Sequence, residues 1–206
     1  VSSSALVDDE VIHSVVSVKR GLMEEACLEL AKHGDEDAIR TLVDTYRGPV
    51  FGLCYRMLRR RTDAEDAAQE ALVKAVTHLD SFELGRPFKP WVMRIASNEC
   101  IDRIRRRKNP VSLDDMGEDG AWEWKAGESP NPEAEVLHKE KHTLVREMLV
   151  ELKPLDRQVM ALFYWQDMSY AEISELTGLT ESAIKSRLYR ARRKMAGLLV
   201  EEGIYA

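Results

Sequence analysis

Apolar side chains recur at helical spacing over most of this chain, and nowhere do they alternate as a half-buried strand requires. Ala38, Ile39, Leu42, Val43 and Tyr46 form a first stripe. Gly48-Pro49 punctuates it, with the proline in the first turn of the next helix. Val50, Leu53, Cys54, Met57 and Leu58 then continue the pattern of three and four. Thr62 with Glu65 three residues on reads as a capping box opening another helix. On that helix Ala64, Ala67, Ala68, Ala71, Leu72, Ala75 and Leu79 face one way, and Asp63, Asp66, Gln69, Glu70 and Lys74 face largely away. Phe82 to Pro90 reads as a loop, followed by a helix from about Trp91 to Arg107 that Asn109-Pro110 ends.

Residues 1–21 are rich in Ser and Val without a clear period, which predicts a flexible or weakly helical extension. Residues 22–109 then form a first helical domain. Residues 110–132 read as a linker, because Gly117, Gly120, Gly127, Pro130 and Pro132 resist regular structure. Residues 133–206 form a second helical domain. Its first stripe is Leu137, Leu144, Val145, Met148, Leu149 and Leu152, and Pro154 opens a helix through about Trp165. Ser169 with Glu172 is a capping box, Gly178 makes a turn, and Thr180 caps a last helix to about Leu199. The fold class expected is all-α: two small helical domains joined by a flexible acidic linker.

Composition adds an apparent conflict. The 206 residues carry 36 acidic and 30 basic side chains, a formal net charge of −6, which on its own argues against a nucleic-acid binder. The distribution removes the objection. Between residues 86 and 108 the basic groups are Arg86, Lys89, Arg94, Arg103, Arg105, Arg106, Arg107 and Lys108, opposed by Glu99 and Asp102. Between residues 180 and 195 they are Lys185, Arg187, Arg190, Arg192, Arg193 and Lys194, opposed by Glu181. The linker holds Asp114, Asp115, Glu118, Asp119, Glu123 and Glu128 against Lys125. Each domain thus carries one basic helix, a pattern suited to two contacts with one polyanion.

Other chemistry finds less support. Cys27, Cys54 and Cys100 lie far apart without a CxxC pair, which favours a reducing compartment over a disulfide framework. No apolar run is long enough to span a membrane. Asp8, Asp9 and Glu10 stand where a secretion signal would be basic. A cytoplasmic protein without membrane insertion is expected. His138 and His142 are four apart on a helix but lack a third ligand, so no metal is expected. No P-loop, nucleophile elbow or HExxH motif is present, and neither a cofactor nor enzymatic activity is expected.

The two basic helices differ in what they offer. In the last helix Ile184, Leu188, Ala191 and Met195 make an inner stripe, while Ser182, Lys185, Ser186, Tyr189, Arg190 and Arg193 spread over the opposite face. Preceded by a short capped helix and a glycine turn, this is the layout of a helix-turn-helix whose second helix reads base edges. The earlier helix carries Trp91, Arg94, Asn98, Asp102 and Arg105 on one face, with Met93, Ala96, Cys100 and Ile104 opposite. Aromatic and basic groups together suit single-stranded nucleic acid, through stacking and phosphate neutralisation. Phe82, Phe88 and Trp91 fit a core equally well, and Asp102 fits a neighbouring arginine better than anionic DNA.

At these residues the chain resembles a known family. Thr62-Asp-Ala-Glu-Asp-Ala-Ala-Gln-Glu, then Phe82 with Gly85-Arg-Pro-Phe-Lys-Pro-Trp91, then Arg94-Ile-Ala-Ser-Asn98 and Asp102-Arg103 resemble region 2 of bacterial RNA polymerase sigma factors. Met168-Ser-Tyr-Ala-Glu-Ile-Ser, Gly178-Leu-Thr and Ile184-Lys-Ser-Arg-Leu-Tyr-Arg-Ala-Arg resemble region 4 of the small extracytoplasmic-function group. The resemblance implies a promoter-specificity subunit with no catalytic residues. Asp66, Gln69 and Glu70 would meet core RNA polymerase, whose beta-prime clamp and beta flap the family binds. Phe88, Lys89, Trp91, Arg94, Asn98 and Arg105 would serve the minus-10 element. Ser182, Lys185, Ser186, Tyr189, Arg190 and Arg193 would serve the minus-35 element of promoter DNA. The acidic linker resembles the segment that threads the RNA exit channel. An anti-sigma factor is a further implied partner. Where larger sigma factors carry adjacent tryptophans this chain has Trp91-Val92, which implies weaker melting and stricter promoter choice. A stand-alone helix-turn-helix regulator is the competing reading.

Overall fold

The computed structural model describes the backbone of residues 9–108 and 143–201, and the side chains of residues 21–106 and 143–200. The described residues are all helix and connection, with no strand among them. The helices are α1 (Asp9–Lys32), α2 (Glu36–Met57), α3 (Arg61–Thr77), a 3-10 turn (Leu79–Ser81) and α4 (Phe88–Lys108). After the undescribed segment come α5 (residues 143–150), α6 (Pro154–Trp165), α7 (Tyr170–Thr177) and α8 (Glu181–Glu201). The predicted acidic linker, Leu137, His138 and His142 lie outside the described residues.

Helices α1 to α4 form the first bundle, held by the stripes read from the sequence. Val50, Leu53, Cys54 and Met57 of α2, Ala64, Ala67 and Ala71 of α3, and Val92, Met93, Ala96 and Cys100 of α4 are each fully buried. The row of alanines lets α3 approach its neighbours closely. Asp35 caps α2 by accepting from the Ala38 N–H at 2.8 Å. The buried Tyr46 hydroxyl donates to the Glu24 carboxylate of α1. Burial and that carboxylate together push the Tyr46 phenol pKa well up.

Several boundaries differ from the sequence reading. Helix α1 already runs from Asp9, so the boundary expected at residue 22 falls inside a helix. Pro49 does not start a new helix but sits within α2. It removes a hydrogen bond to the Thr45 carbonyl, a defect of about 3 kcal/mol in an isolated helix. The unbroken stripe Leu42, Tyr46, Val50, Leu53, Cys54 and Met57, all buried, keeps the helix in register across it. Thr62 does not cap α3. That helix begins one residue earlier, the side chain of Arg60 at the cap position does not cap it, and the Glu65 carboxylate is taken by Arg61 Nε at 2.7 Å. Helix α4 starts at Phe88 rather than Trp91, with Pro90 in a first turn whose N–H groups have no helical acceptor anyway.

Helices α6 to α8 form the second bundle. The capping box is complete: the Ser169 hydroxyl accepts from the Glu172 N–H, and the Glu172 carboxylate accepts from the Ser169 N–H at 2.7 Å. Gly178 ends α7 with φ +71°, a left-handed conformation that glycine adopts without strain. Thr180 accepts from the Ala183 N–H at 3.2 Å and so opens α8.

The two bundles pack on one another, which the reading of a flexibly joined pair did not anticipate. Their cores merge into one apolar cluster. Arg157 of α6, 7% exposed, donates to the Met57 carbonyl at the end of α2 at 2.6 Å. Gln166 Nε2 donates to the Pro49 carbonyl at 3.1 Å, and Lys89 Nζ donates to the Gln166 carbonyl at 2.6 Å. Arg86 pairs with Glu175 of α7 at 2.9 Å. Two guanidiniums lie over rings of the opposite bundle, Arg56 over Trp165 at 4.9 Å and Arg146 over Tyr55 at 4.1 Å.

Candidate nucleic-acid interface

Helix α8 presents the face expected of it. Ile184, Leu188 and Ala191 are buried, while Ser182, Lys185, Ser186, Tyr189, Arg190 and Arg193 are all exposed. Tyr189 among them is 61% exposed. The inner end of α8 is pinned by charge. Asp156, in the first turn of α6, accepts from Arg187 Nη1 at 2.6 Å, and Arg190 Nη2 lies 3.8 Å from the same oxygen. Lys185 Nζ sits 5.2 Å from the Tyr170 ring centre, a cation–π contact that steadies the start of the exposed face of α8.

Helix α4 presents Arg94, Asn98 and Arg105 on one exposed face. Asp102 shares that face and pairs with Arg105 at 3.5 Å, as the sequence suggested. The aromatic part of the site needs correction. Phe88 is 4% exposed and packs edge-on to Tyr46 and Phe82, with centroids 5.1 and 5.2 Å apart. It supports the site from within and cannot stack on a base here. Trp91 is half-buried against Phe82 and Phe88, both 5.3 Å away, and is the aromatic nearest the outer face. Val92, beside it, is fully buried and belongs to the core. Lys89 is engaged with the Gln166 carbonyl of the second bundle.

Helix α3 carries the third face. Asp66 and Gln69 are exposed. Glu70 is tied into an ion network: its carboxylate meets Arg103 at 2.7 Å and Lys74 at 3.2 Å. Both cations also bind Glu99, whose side chain is 2% exposed, at 2.9 Å for Arg103 and 2.5 Å for Lys74. The Arg103 and Lys74 hydrogen bonds hold the Glu70 carboxyl below its usual range, and the Glu99 bond raises Lys74. The network welds α3 to α4, so Glu70 anchors this face more than it offers itself to a partner. Val73, 57% exposed, completes the stripe begun by Asp66 and Gln69. Its place was legible as the one branched apolar residue in a polar register. The role of Asp156 was not, because a single aspartate in a helix's first turn has an ordinary reading as a favourable charge at the N-terminus.

Among the described residues no three His, Cys, Asp or Glu side chains come together as a metal site. No helix among them is long and apolar enough to cross a membrane.

Two family models match the chain: Sigma-70 region 2 over residues 42–109, and Sigma-70 region 4 over residues 142–195. The chain is 34% identical over 178 residues to the ECF RNA polymerase sigma factor SigW of Bacillus subtilis, covering 84% of this chain and 95% of that protein. It is 33% identical over 141 residues to the RNA polymerase sigma factor CnrH of Cupriavidus metallidurans, covering 67% and 74%. The solved structure of CnrH in complex with the cytosolic domain of CnrY matches with a TM-score of 0.64 at 25% identity, over 86% of this chain and 97% of that one.

Proposed function

This chain belongs to the extracytoplasmic-function (ECF) group of RNA polymerase sigma factors, and on that premise we propose that it directs core RNA polymerase to promoters by reading two DNA elements with two separate faces. It is not an enzyme, as its relatives are initiation factors. The observation that carries the reading is the pair of exposed basic faces, one on each bundle. Arg94, Asn98 and Arg105 on α4, with Trp91 beside them, suit the minus-10 element. Ser182, Lys185, Ser186, Tyr189, Arg190 and Arg193 on α8 suit the minus-35 element. The α8 side chains match in type what the major groove requires, with arginine and lysine for guanine and short hydroxyls for either strand.

Asp66 and Gln69, with Val73 beside them, form the surface for core polymerase, at the beta-prime clamp. The second bundle would meet the beta flap. A chain of this kind works in the cytoplasm, where polymerase and DNA are. The CnrH structure contains the cytosolic domain of CnrY, which supports a protein partner for this chain as well, in the place of the anti-sigma factor that the family resemblance implies.

The test is reconstitution. Mixed with core polymerase and a matching promoter, the chain yields run-off transcript from one start site. DNA binding without any effect on core polymerase would instead favour a stand-alone helix-turn-helix regulator. Asp66→Arg combined with Gln69→Ala lowers core affinity by at least about tenfold with helicity unchanged, as expected for a few residues at the centre of an interface. Unchanged affinity would remove the assignment of that surface.

A further inference from the structure

We propose that Asp156 is a positioning residue for promoter reading: its carboxylate holds Arg187 and Arg190 of α8 so that Arg190 meets base edges from a fixed starting point. The inference rests on the assignment of α8 to the minus-35 element and names what sets the geometry of that helix's central arginine.

The arrangement begins with spacing. Arg187 and Arg190 are three apart on α8, so both side chains leave the same side of the helix and converge on one point. At that point stands Asp156, its side chain 9% exposed. The two arginines are held differently. Arg187, 21% exposed, makes a charge-assisted hydrogen bond of 2.6 Å and fixes α8 against α6. Arg190 is 57% exposed and stays 3.8 Å from the same oxygen. That separation is too long for a hydrogen bond but within ion-pair range. The carboxylate therefore restrains Arg190 without taking any of its five N–H donors, which stay available for bidentate bonding to a guanine edge. A free arginine would lose more rotamer freedom on docking.

The same carboxylate sits beneath a helix meant for a polyanion, where it weakens attraction to phosphate. A residue kept only for packing would show no such trade. The two roles make opposite predictions for removal of the charge. Asp156→Asn should bind random-sequence DNA about two- to fivefold more tightly, since one negative charge near the backbone is gone. It should also distinguish bases less well, by about fivefold or more at the pairs that Arg190 contacts. A purely structural defect lowers both.

The experiment uses the full chain with core polymerase. Holoenzymes carrying wild-type chain, Asp156→Asn, Asp156→Glu or Arg190→Ala select from promoter duplexes randomised over the minus-35 region, and bound sequences are counted. Affinity for a random-sequence duplex is measured in parallel. The expected result is that Asp156→Asn flattens base preference at the positions that Arg190→Ala flattens while random-sequence affinity rises. Asp156→Glu, which keeps the charge, retains most of the preference and guards against a folding failure of the asparagine variant. A preference profile for Asp156→Asn identical to wild type, with Arg190→Ala flattened, overturns the positioning role. Equal losses of preference and random-sequence affinity in both Asp156 variants overturn it too. If Arg190→Ala itself leaves the profile unchanged, the assignment of α8 to the minus-35 element fails first.

Discussion

Arg157 offers a direct test of the packing between the two bundles. Its guanidinium is buried, and burial lowers its pKa. It donates to three backbone carbonyls: Met57 at the end of α2 at 2.6 Å, Leu152 at 3.1 Å, and Val150. None of the three is a carboxylate, so one guanidinium holds the end of α2 and the turn before α6 without neutralising any charge. Arg157→Met keeps the aliphatic bulk and removes the donors. Each carbonyl left without a partner costs about 1–3 kcal/mol, and release of a desolvated charge offsets part of that. The net loss expected is about 3 kcal/mol. Arg157→Lys should lose about 2 kcal/mol, because an ammonium cannot fork to three separated acceptors. Urea unfolding followed by circular dichroism measures both. With a slope of about 1–3 kcal/mol per molar, Arg157→Met should move the midpoint down by about 1 M or more. A shift below about 0.3 M would refute the claim that these bonds hold the bundles together.

Two further predictions concern titratable groups in the first bundle. The Glu70 pKa lies below its ordinary 4.5 because of Arg103 and Lys74. Its contribution to stability is therefore complete above pH 4.5 and lost as pH falls through the lower folded value. Lys74 is raised above 10.5, chiefly by Glu99, so its contribution is complete below pH 10.5 and lost above it. Melting temperature against pH should show both flanks, and Glu70→Gln should flatten the acidic one; an unchanged acidic flank would contradict the network. Among the thiols, Cys54 and Cys100 are fully buried, and the Cys54 thiol together with burial pushes Cys100 well up. Cys27 is half-buried and donates to the Ala38 carbonyl at 3.4 Å. An aromatic disulfide reagent should therefore label one thiol per native chain, slowly, and three in urea; rapid labelling of all three in the native state would exclude this core.

The exposed face of α8 could be read directly from the sequence because every signal for it is local. Ser169 with Glu172, Gly178 and Thr180 lie within twelve residues and fix the two-helix unit, and the apolar stripe then dictates which side chains face out. Pro49 misled for the opposite reason. A proline's local cost was outweighed by burial of residues on both sides of it, which only the tertiary structure reveals. Phe88 misled because aromatic residues serve cores and stacking platforms alike, and its position in the first turn of α4 aims it inward. The contact between bundles had no sequence signature at all. Apart from the Glu175 carboxylate that meets Arg86, its acceptors are main-chain carbonyls of Met57, Pro49 and Gln166, which any residue would supply.

That contact bears on reach. The two promoter elements, by their names, lie about 25 base pairs apart, which at 3.4 Å per step is about 85 Å. A compact body of this size has a diameter of about 45 Å. With α7 against α4, the faces proposed on α4 and α8 would not reach both elements together. Thirty-four residues separate Lys108 from Thr143 in the sequence, a contour of up to about 115 Å, so the chain is long enough to let the bundles part. On the proposed function, engagement of both elements would draw only on molecules in which Arg157, Gln166 and Lys89 have released their carbonyls. The apparent affinity for a whole promoter falls in proportion to that open fraction. Polymerase, by holding the bundles apart, would act as a ruler as well as an enzyme.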